Sequence, residues 1–211
     1  MNKKMLLAIN SLTERDSDLA TVIDRFGYPP TWKREPGFST LIRIILEQQV
    51  SLASAQATFN RLCTLISPVT PESFLNLKDM QLKGIGISRQ KISYGRELSQ
   101  AIINGQLDLN GLEKLDDLTI RNRLKKIKGI GDWTVDMYLM MALQRQDVFP
   151  SRDLAVAIAV QEIKHLPTRP QPTELEAIAL VWRPYRAIAT KILWHYYLNN
   201  KRKINSVKNI N

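Results

Sequence analysis

The chain has 211 residues, 44% of them hydrophobic and 24% charged, which suits one generous folded domain or two small lobes. Thirty Lys and Arg against twenty Asp and Glu give a formal charge of +10, which favours a polyanionic partner, nucleic acid first. One cysteine, Cys63, excludes a disulfide framework and a cysteine-ligated zinc or iron–sulfur site, and two histidines, His165 and His195, argue against a histidine metal site. The start MNKKMLLAINSL is basic, but its apolar run ends too soon for a signal peptide. No eighteen-residue apolar run occurs. The expectation is an intracellular protein: cytoplasm or nucleoid in a bacterium, nucleus in a eukaryote.

Phe38, Leu41, Ile42, Ile45 and Leu46 recur at helical spacing, which predicts one apolar helix face over 38–46. The phase slips through EQQVS (47–51). A second helical stretch then runs to about Ile66, with Cys63 expected as a buried thiol. SPVTPES marks a loop in which Thr70 can cap the next short helix. A helix is predicted from Ser88 to Ile103, ended by Asn104-Gly105. Next come a helix, a tight glycine turn, and a helix from about Asp132 to Leu143. DVFPS breaks the pattern, and Ser151 can cap a helix from Arg152 to about His165. LPTRPQPTE follows, with Thr173 as the next cap. In the last helix Tyr185, Ile188, Ala189, Ile192, Leu193, Tyr196 and Tyr197 form one stripe, and Trp194 lies about 180° from Tyr185. A basic tail from Lys201 is expected to fray. Almost nothing alternates with period two, so the chain reads as all-α with about ten short helices. There is a local echo: LKGIGIS at 82–88 and IKGIGDW at 127–133.

Gly129 and Gly131 permit positive φ and close approach of backbone to a ligand. A helix begins just after them, so its first amides lack intrahelical partners and carry the positive end of the helix dipole. Five of the eight residues from Arg121 to Lys128 are basic. Lys125, Lys126 and Lys128 add long-range attraction for an anion. Together these predict a phosphate clamp that grips a nucleic-acid backbone without reading its bases. A plain helix corner would need only one glycine.

LKKIKGIGDWT (124–134) resembles the helix-hairpin-helix of the HhH-GPD superfamily of DNA glycosylases, in which an essential aspartate follows the hairpin by about twenty residues. Here DVFPSRDLAV places Asp153 twenty-two residues after Gly131. FSTLIRIILEQQVSLASA, KGIGISRQKISYGRELSQAI and VWRPYRAIATKILWHYY resemble the alkylbase branch, the DNA-3-methyladenine glycosylase II type in its compact form. With the hairpin they span about 38–198 in the family's order. The resemblance implies an all-α, two-lobed fold: a middle lobe over 35–149 containing the hairpin (about 118–143), a second lobe of 1–34 plus 150–211, and a lesion cleft between them. It implies double-stranded DNA with alkylated bases as partner, no obligate protein partner, and a monomer.

By itself Asp153 reads as a residue in the first turn of a helix, where the dipole favours a carboxylate. The hairpin spacing points instead to the carboxylate that stabilises the oxocarbenium-like sugar as a base leaves. In bifunctional relatives the residue after the Gly-Asp pair is the lysine that forms a Schiff base; here it is Trp133. The resemblance therefore implies base excision by hydrolysis without lyase chemistry, acting on alkylated purines such as 3-methyladenine, 7-methylguanine and ethenoadenine. It implies Trp194 and Trp133 as aromatic walls for the flipped base, with Met137 and Leu154 where the family has tyrosine. It also implies Gln49 as the wedge in the gap left by that base, with Gln48 beside it. Read as residues alone, the face of Met137, Met140 and Met141 is core, Trp194 can pack on the other lobe, and EQQVS can make an interhelical polar bond. The hairpin contact set is Lys128, Gly129, Ile130, Gly131 and Thr134. No cofactor is required, and a structural Na+ or K+ on the carbonyls of Lys125, Ile127 and Ile130 is the one ion the family pattern suggests. Arg152 departs from the family's acidic residue before the aspartate and can either pull on Asp153 or reach a phosphate. Two other outcomes stay open: a same-fold glycosylase for a different lesion, and a non-catalytic helix-hairpin-helix DNA-binding protein.

Overall fold

The computed structural model describes residues 3–208, with side chains as far as Asn200. Twelve α-helices and two short 3-10 turns, and no strand, occur among the described residues. None of these helices is long and apolar enough to cross a membrane. The chain divides into two compact units, one over 33–143 and one combining the residues up to Trp32 with those from Gln144.

The 33–143 unit contains α3 (Phe38–Glu47), α4 (Leu52–Leu65), α5 (Pro71–Asn76), α6 (Asp79–Gly84), α7 (Arg89–Ile103), a 3-10 turn (Leu112–Lys114), α8 (Asp117–Leu124) and α9 (Asp132–Met141). The sequence pattern predicts a single apolar face for α3. In the fold seven of its ten residues are buried, and α9 is buried continuously from Thr134 to Met141. These are the central helices of the unit, and they pack on each other. Thr70 caps α5 through a capping box with Ser73, and Ser88 caps α7. Helices α5 and α7 meet at Gly95, where a Cβ would lie 2.5 Å from the Phe74 ring. Cys63 is half-buried rather than sealed in the core, because it lies on the partly exposed side of α4.

The second unit contains α1 (Lys3–Arg15), α2 (Ser17–Phe26), α10 (Leu154–Ile163), α11 (Pro172–Ile178), a 3-10 turn (Ala179–Trp182) and α12 (Arg186–Lys208). Helix α12 packs on α10 and α2. Asp16 ties the unit together. It caps α2 by accepting the Asp18 and Leu19 amides, and its other oxygen accepts Trp182 Nε1 at 2.7 Å and Lys164 Nζ at 3.0 Å. Burial would raise the Asp16 pKa, but the bonds from Trp182 and Lys164 and the Lys164 charge outweigh it and hold it below the ordinary value.

Several boundaries differ from the sequence reading. The cap of α10 is Asp153 itself, because Ser151 and Arg152 are used in a turn closed by the Asp153 amide on the Pro150 carbonyl. The cap of α11 is Gln171, since Pro172 takes the first helical position and puts Thr173 inside the helix. Residues 144–149 go with the second unit rather than the middle lobe. The Gln146 carbonyl accepts the Ala187 amide, Asp147 pairs with Arg186 at 2.7 Å, and Phe149 packs edge-on against Trp182. The stripe on α12 is also too narrow: Thr190, Lys191 and Trp194 are buried along with it. Helix α12 continues to Lys208, and the side chains of the basic tail from Lys201 lie outside the described residues.

Candidate functional site

The hairpin is built by α8, a turn, and α9. Helix α8 ends when Lys125 and Ile127 donate to the carbonyls of Arg121 and Leu124, and Ile130 then closes the turn on the Ile127 carbonyl at 3.1 Å. Gly129 takes φ +89, in the region that favours glycine. A Cβ there would fall 2.1 Å from the Tyr94 ring, so two constraints demand glycine at this position. Gly131 has φ −99 and open space around it. It is the N-cap of α9 and has no side chain with which to cap it. The amides of Lys128, Gly129 and Gly131 donate to no group among the described residues. Unpartnered amides before a helix dipole suit an oxyanion.

Polar side chains hold this turn in place from behind. Gln48 Nε2 donates to the Gly129 carbonyl and to Thr134 Oγ1, both at 2.9 Å. Gln48 is thus a brace for the hairpin, making the polar bond that the residues alone allow. Thr134 is buried and engaged by that bond, and Ile130 is buried as well, so each can offer only backbone outward. The segment carrying Gln48 is itself anchored. Glu47 makes a two-pronged pair with Arg34, at 2.7 and 2.9 Å, and Lys91 Nζ donates to the Leu46 carbonyl at 2.7 Å. Gln49, next along, is exposed at φ +55, a conformation that a long side chain rarely adopts.

The basic cluster is less open than its sequence suggests. Lys125 Nζ lies 2.7 Å from Asp132 Oδ1, and Arg121 reaches both Asp132 and Asp136. The hydrogen bond from Lys125, opposed by partial burial and aided by the charges of Lys125 and Arg121, lowers the Asp132 pKa. Lys126 and Lys128 are exposed and make no ion pair among the described residues.

In the second unit, Asp153 is 9% exposed. Its Oδ1 accepts the Val156 amide at 2.9 Å, as an N-cap does, and the Trp194 Nε1–H at 3.2 Å. Two residues singled out separately and 41 positions apart are therefore in direct contact. Trp32 stands edge-on to Trp194, with centroids 5.9 Å apart and planes at 86°. It sits at φ +44, a strained geometry for a bulky residue. The sequence reading missed Trp32, and its only signal was an aromatic in the proline-rich stretch YPPTWK. Arg152 is exposed, and no ion pair joins it to Asp153 among the described residues. Of the remaining pocket candidates, Trp133 is half-buried, Met137 is 2% exposed and Leu154 is 57% exposed. Met137 belongs to the packed centre of its unit because α9 is covered on all sides at that level.

Residues 42–184 match the HhH-GPD superfamily of base excision DNA repair proteins. The chain belongs to that superfamily. DNA-3-methyladenine glycosylase 1 of Schizosaccharomyces pombe is similar to it at 31% identity over 166 residues, covering 77% of this chain and 72% of the relative. An alkylbase DNA glycosidase-like protein of the same organism is 28% identical over 191 residues, covering 88% of this chain and 89% of the relative. The solved structure of a 3-methyladenine DNA glycosylase of S. pombe in complex with abasic DNA matches with a TM-score of 0.84 at 29% identity, covering 89% of this chain and 94% of that one. The fold is thus the all-α HhH-GPD fold.

Proposed function

We propose that this HhH-GPD protein is a monofunctional DNA glycosylase that hydrolyses the N-glycosidic bond of alkylated purines in double-stranded DNA. The observation that carries the reading is the bond from Trp194 to Asp153, which joins an aromatic surface for a base to a carboxylate. As the base leaves, positive charge grows on the deoxyribose. A carboxylate pinned by an amide and an indole needs no reorganisation to meet that charge. Trp194, flanked by Trp32, presents π-surface, which attracts cationic bases such as 3-methyladenine and 7-methylguanine. The names of the relatives point the same way. The residue after Gly131-Asp132 is Trp133, so no amine stands there to form a Schiff base, and water completes the reaction.

The hairpin supplies the backbone anchor through the amides around Gly129 and Gly131. Gln49, exposed and strained, is the side chain that fills the space vacated by the base. The carbonyls of Lys125 and Ile130 accept no backbone amide among the described residues, and that of Ile127 keeps one lone pair beyond its bond from Ile130. These three fit a Na+ or K+ ion that would stiffen the turn, whereas the Gly129 carbonyl is already used by Gln48. The protein acts as a monomer and needs no other cofactor.

The test is to incubate the protein with duplexes containing 7-methylguanine, ethenoadenine, uracil or 8-oxoguanine and to score abasic sites. Release of the alkylated purines is expected. Asp153→Asn is expected to lower release by about 10³-fold or more while DNA binding persists, the scale set by losing a preorganised charge at a reacting centre. Full activity in that variant would refute the assignment. Borohydride trapping of a covalent protein–DNA adduct would refute the hydrolytic reading.

A further inference from the structure

Helix α12 carries a buried amine three residues before Trp194. Lys191 is 4% exposed, yet among the described residues it makes no hydrogen bond and no ion pair. Its Nζ is not among the fully sealed, unbonded side-chain nitrogens of the described residues, so the stem is packed while the amine keeps slight contact with solvent. Lys191 precedes Trp194 by three residues, which places the two side chains on neighbouring positions of one helix face. Packing alone would be better served by leucine or methionine, since a buried ammonium without a partner is costly.

The surrounding charges are all committed elsewhere or make no contact with Lys191. On α12 itself, Arg186 is held by Asp147 and His195 bonds the Phe26 carbonyl. On α10, Asp153 bonds Trp194 and Glu162 accepts from Asn200. On α2, Asp18 pairs with Lys164, Arg25 lies over Phe26, and Asp24 makes no bond to Lys191. On α1, Arg15 is bound to the carbonyls of Val181 and Arg183, and Lys3, Lys4 and Glu14 make no bond to Lys191. The 3-10 turn Ala179–Trp182 brings no titratable group. With no anion at hand, burial pushes the Lys191 pKa below that of an ordinary lysine.

We propose that Lys191 is the proton donor to electrically neutral departing purines at the site formed by Asp153 and Trp194. This rests on the reading of that pair as the base-release site. A cationic base such as 7-methylguanine leaves as a neutral molecule and needs no proton. A neutral base such as ethenoadenine or hypoxanthine would leave as an anion. As its C1′–N9 bond breaks, the bonding electron pair goes to the base, and a proton passes from Lys191 Nζ to a ring nitrogen. Water adds its hydroxyl to C1′, and its remaining proton returns the amine to ammonium by way of solvent. No oxidant, metal or covalent intermediate is needed, and an ammonium of lowered pKa is a better acid at neutral pH than an exposed one.

The test compares single-turnover release of ethenoadenine, hypoxanthine and 7-methylguanine by the wild type, Lys191→Met and Lys191→Arg. Lys191→Met is expected to slow release of the two neutral bases by about 10²-fold, the usual scale of general-acid help, while 7-methylguanine release changes by less than about threefold. Lys191→Arg is expected not to restore the neutral bases, because a guanidinium keeps the charge but does not give up a proton. In the wild type, ethenoadenine release should fall as pH rises through the Lys191 pKa, and that alkaline limb should vanish in Lys191→Met. Unchanged release in Lys191→Met, an equal loss on all three lesions, full rescue by Lys191→Arg, or a wild type that releases neither neutral base overturns the proposal. Release of 7-methylguanine certifies that each variant is folded. Failure of the underlying site would appear separately, as undiminished 7-methylguanine release in Asp153→Asn.

Discussion

Two stretches of this protein share the letters Lys-Gly-Ile-Gly, and they fold differently. At 83–86 the first glycine ends α6 and the second takes φ +94; at 128–131 the first takes φ +89 and the second is extended at φ −99. After the 83–86 turn, Ser88 caps α7 by accepting the Lys91 amide, and Arg61 Nε donates to the Ile85 carbonyl. After the 128–131 turn no side chain caps α9, and the amides of Lys128, Gly129 and Gly131 have no partner among the described residues. One turn satisfies itself and is structural. The other is left polar and open, which is what a binding loop requires. Gly-x-Gly alone does not distinguish the two turns; the missing side-chain cap does.

The largest test of that contrast is Gly129→Ala. It combines a disallowed φ with overlap against Tyr94, and is expected to cost about 3 kcal/mol in urea unfolding. A cost near zero would show that the Tyr94 contact does not fix the turn. Ser88→Ala should lose about 1 kcal/mol of stability and leave DNA affinity untouched. A fall in affinity would mean the 83–86 turn also binds DNA. Gly131→Ser copies the Ser88 arrangement onto the hairpin. Its hydroxyl should compete with phosphate for the α9 amides and weaken binding to damaged and intact duplex alike by about fivefold, or ~1 kcal/mol. Stability should rise by only a few tenths of a kcal/mol. Tighter binding would contradict the open-cap argument.

The smallest expected effect concerns Asp132, an acid with no counterpart in the other turn, where Ile87 stands. Lys125 and Arg121 lower its folded pKa, so its contribution is present above the ordinary carboxylate value and is lost as pH falls through the folded one. The side chain is over a third exposed, so the pair is worth only a few tenths of a kcal/mol after screening. Asp132→Asn should therefore differ slightly from the wild type in unfolding at pH 7, and the difference should shrink as the pH falls below the ordinary carboxylate value. A gap that does not change with pH would assign the effect to something other than the Asp132 charge.

Much of this was legible in sequence because it is local. Apolar periodicity predicts most helices, and Thr70 and Ser88 are recognisable caps. What escaped depends on distant neighbours. Asp153 looked like a first-turn residue behind Ser151, and only the turn closed on Pro150 makes it the cap. The resemblance placed Gln48 beside the lesion while the residues alone left an interhelical polar bond open; that bond forms, but its partners, 81 and 86 positions away, could not be named from sequence. Lys125 read as free charge because periodicity does not reveal that Asp132 folds back on it. Met137 stood at a pocket position only by the resemblance, and its helix face reads as core from the residues alone, which its burial matches. Trp32 and Lys191 lay outside every local pattern.

The brace on the hairpin has a last consequence. The loop looks portable, a short cassette that could be grafted onto another scaffold to confer DNA binding. Yet the carbonyl of Gly129 is held by an amide from the end of α3, and the space beside its Cα is filled by a ring from α7. A transplant of residues 116–143 would leave both contacts behind. The shape of the turn is a property of three separated segments, and it can be inherited only with the helices that hold it.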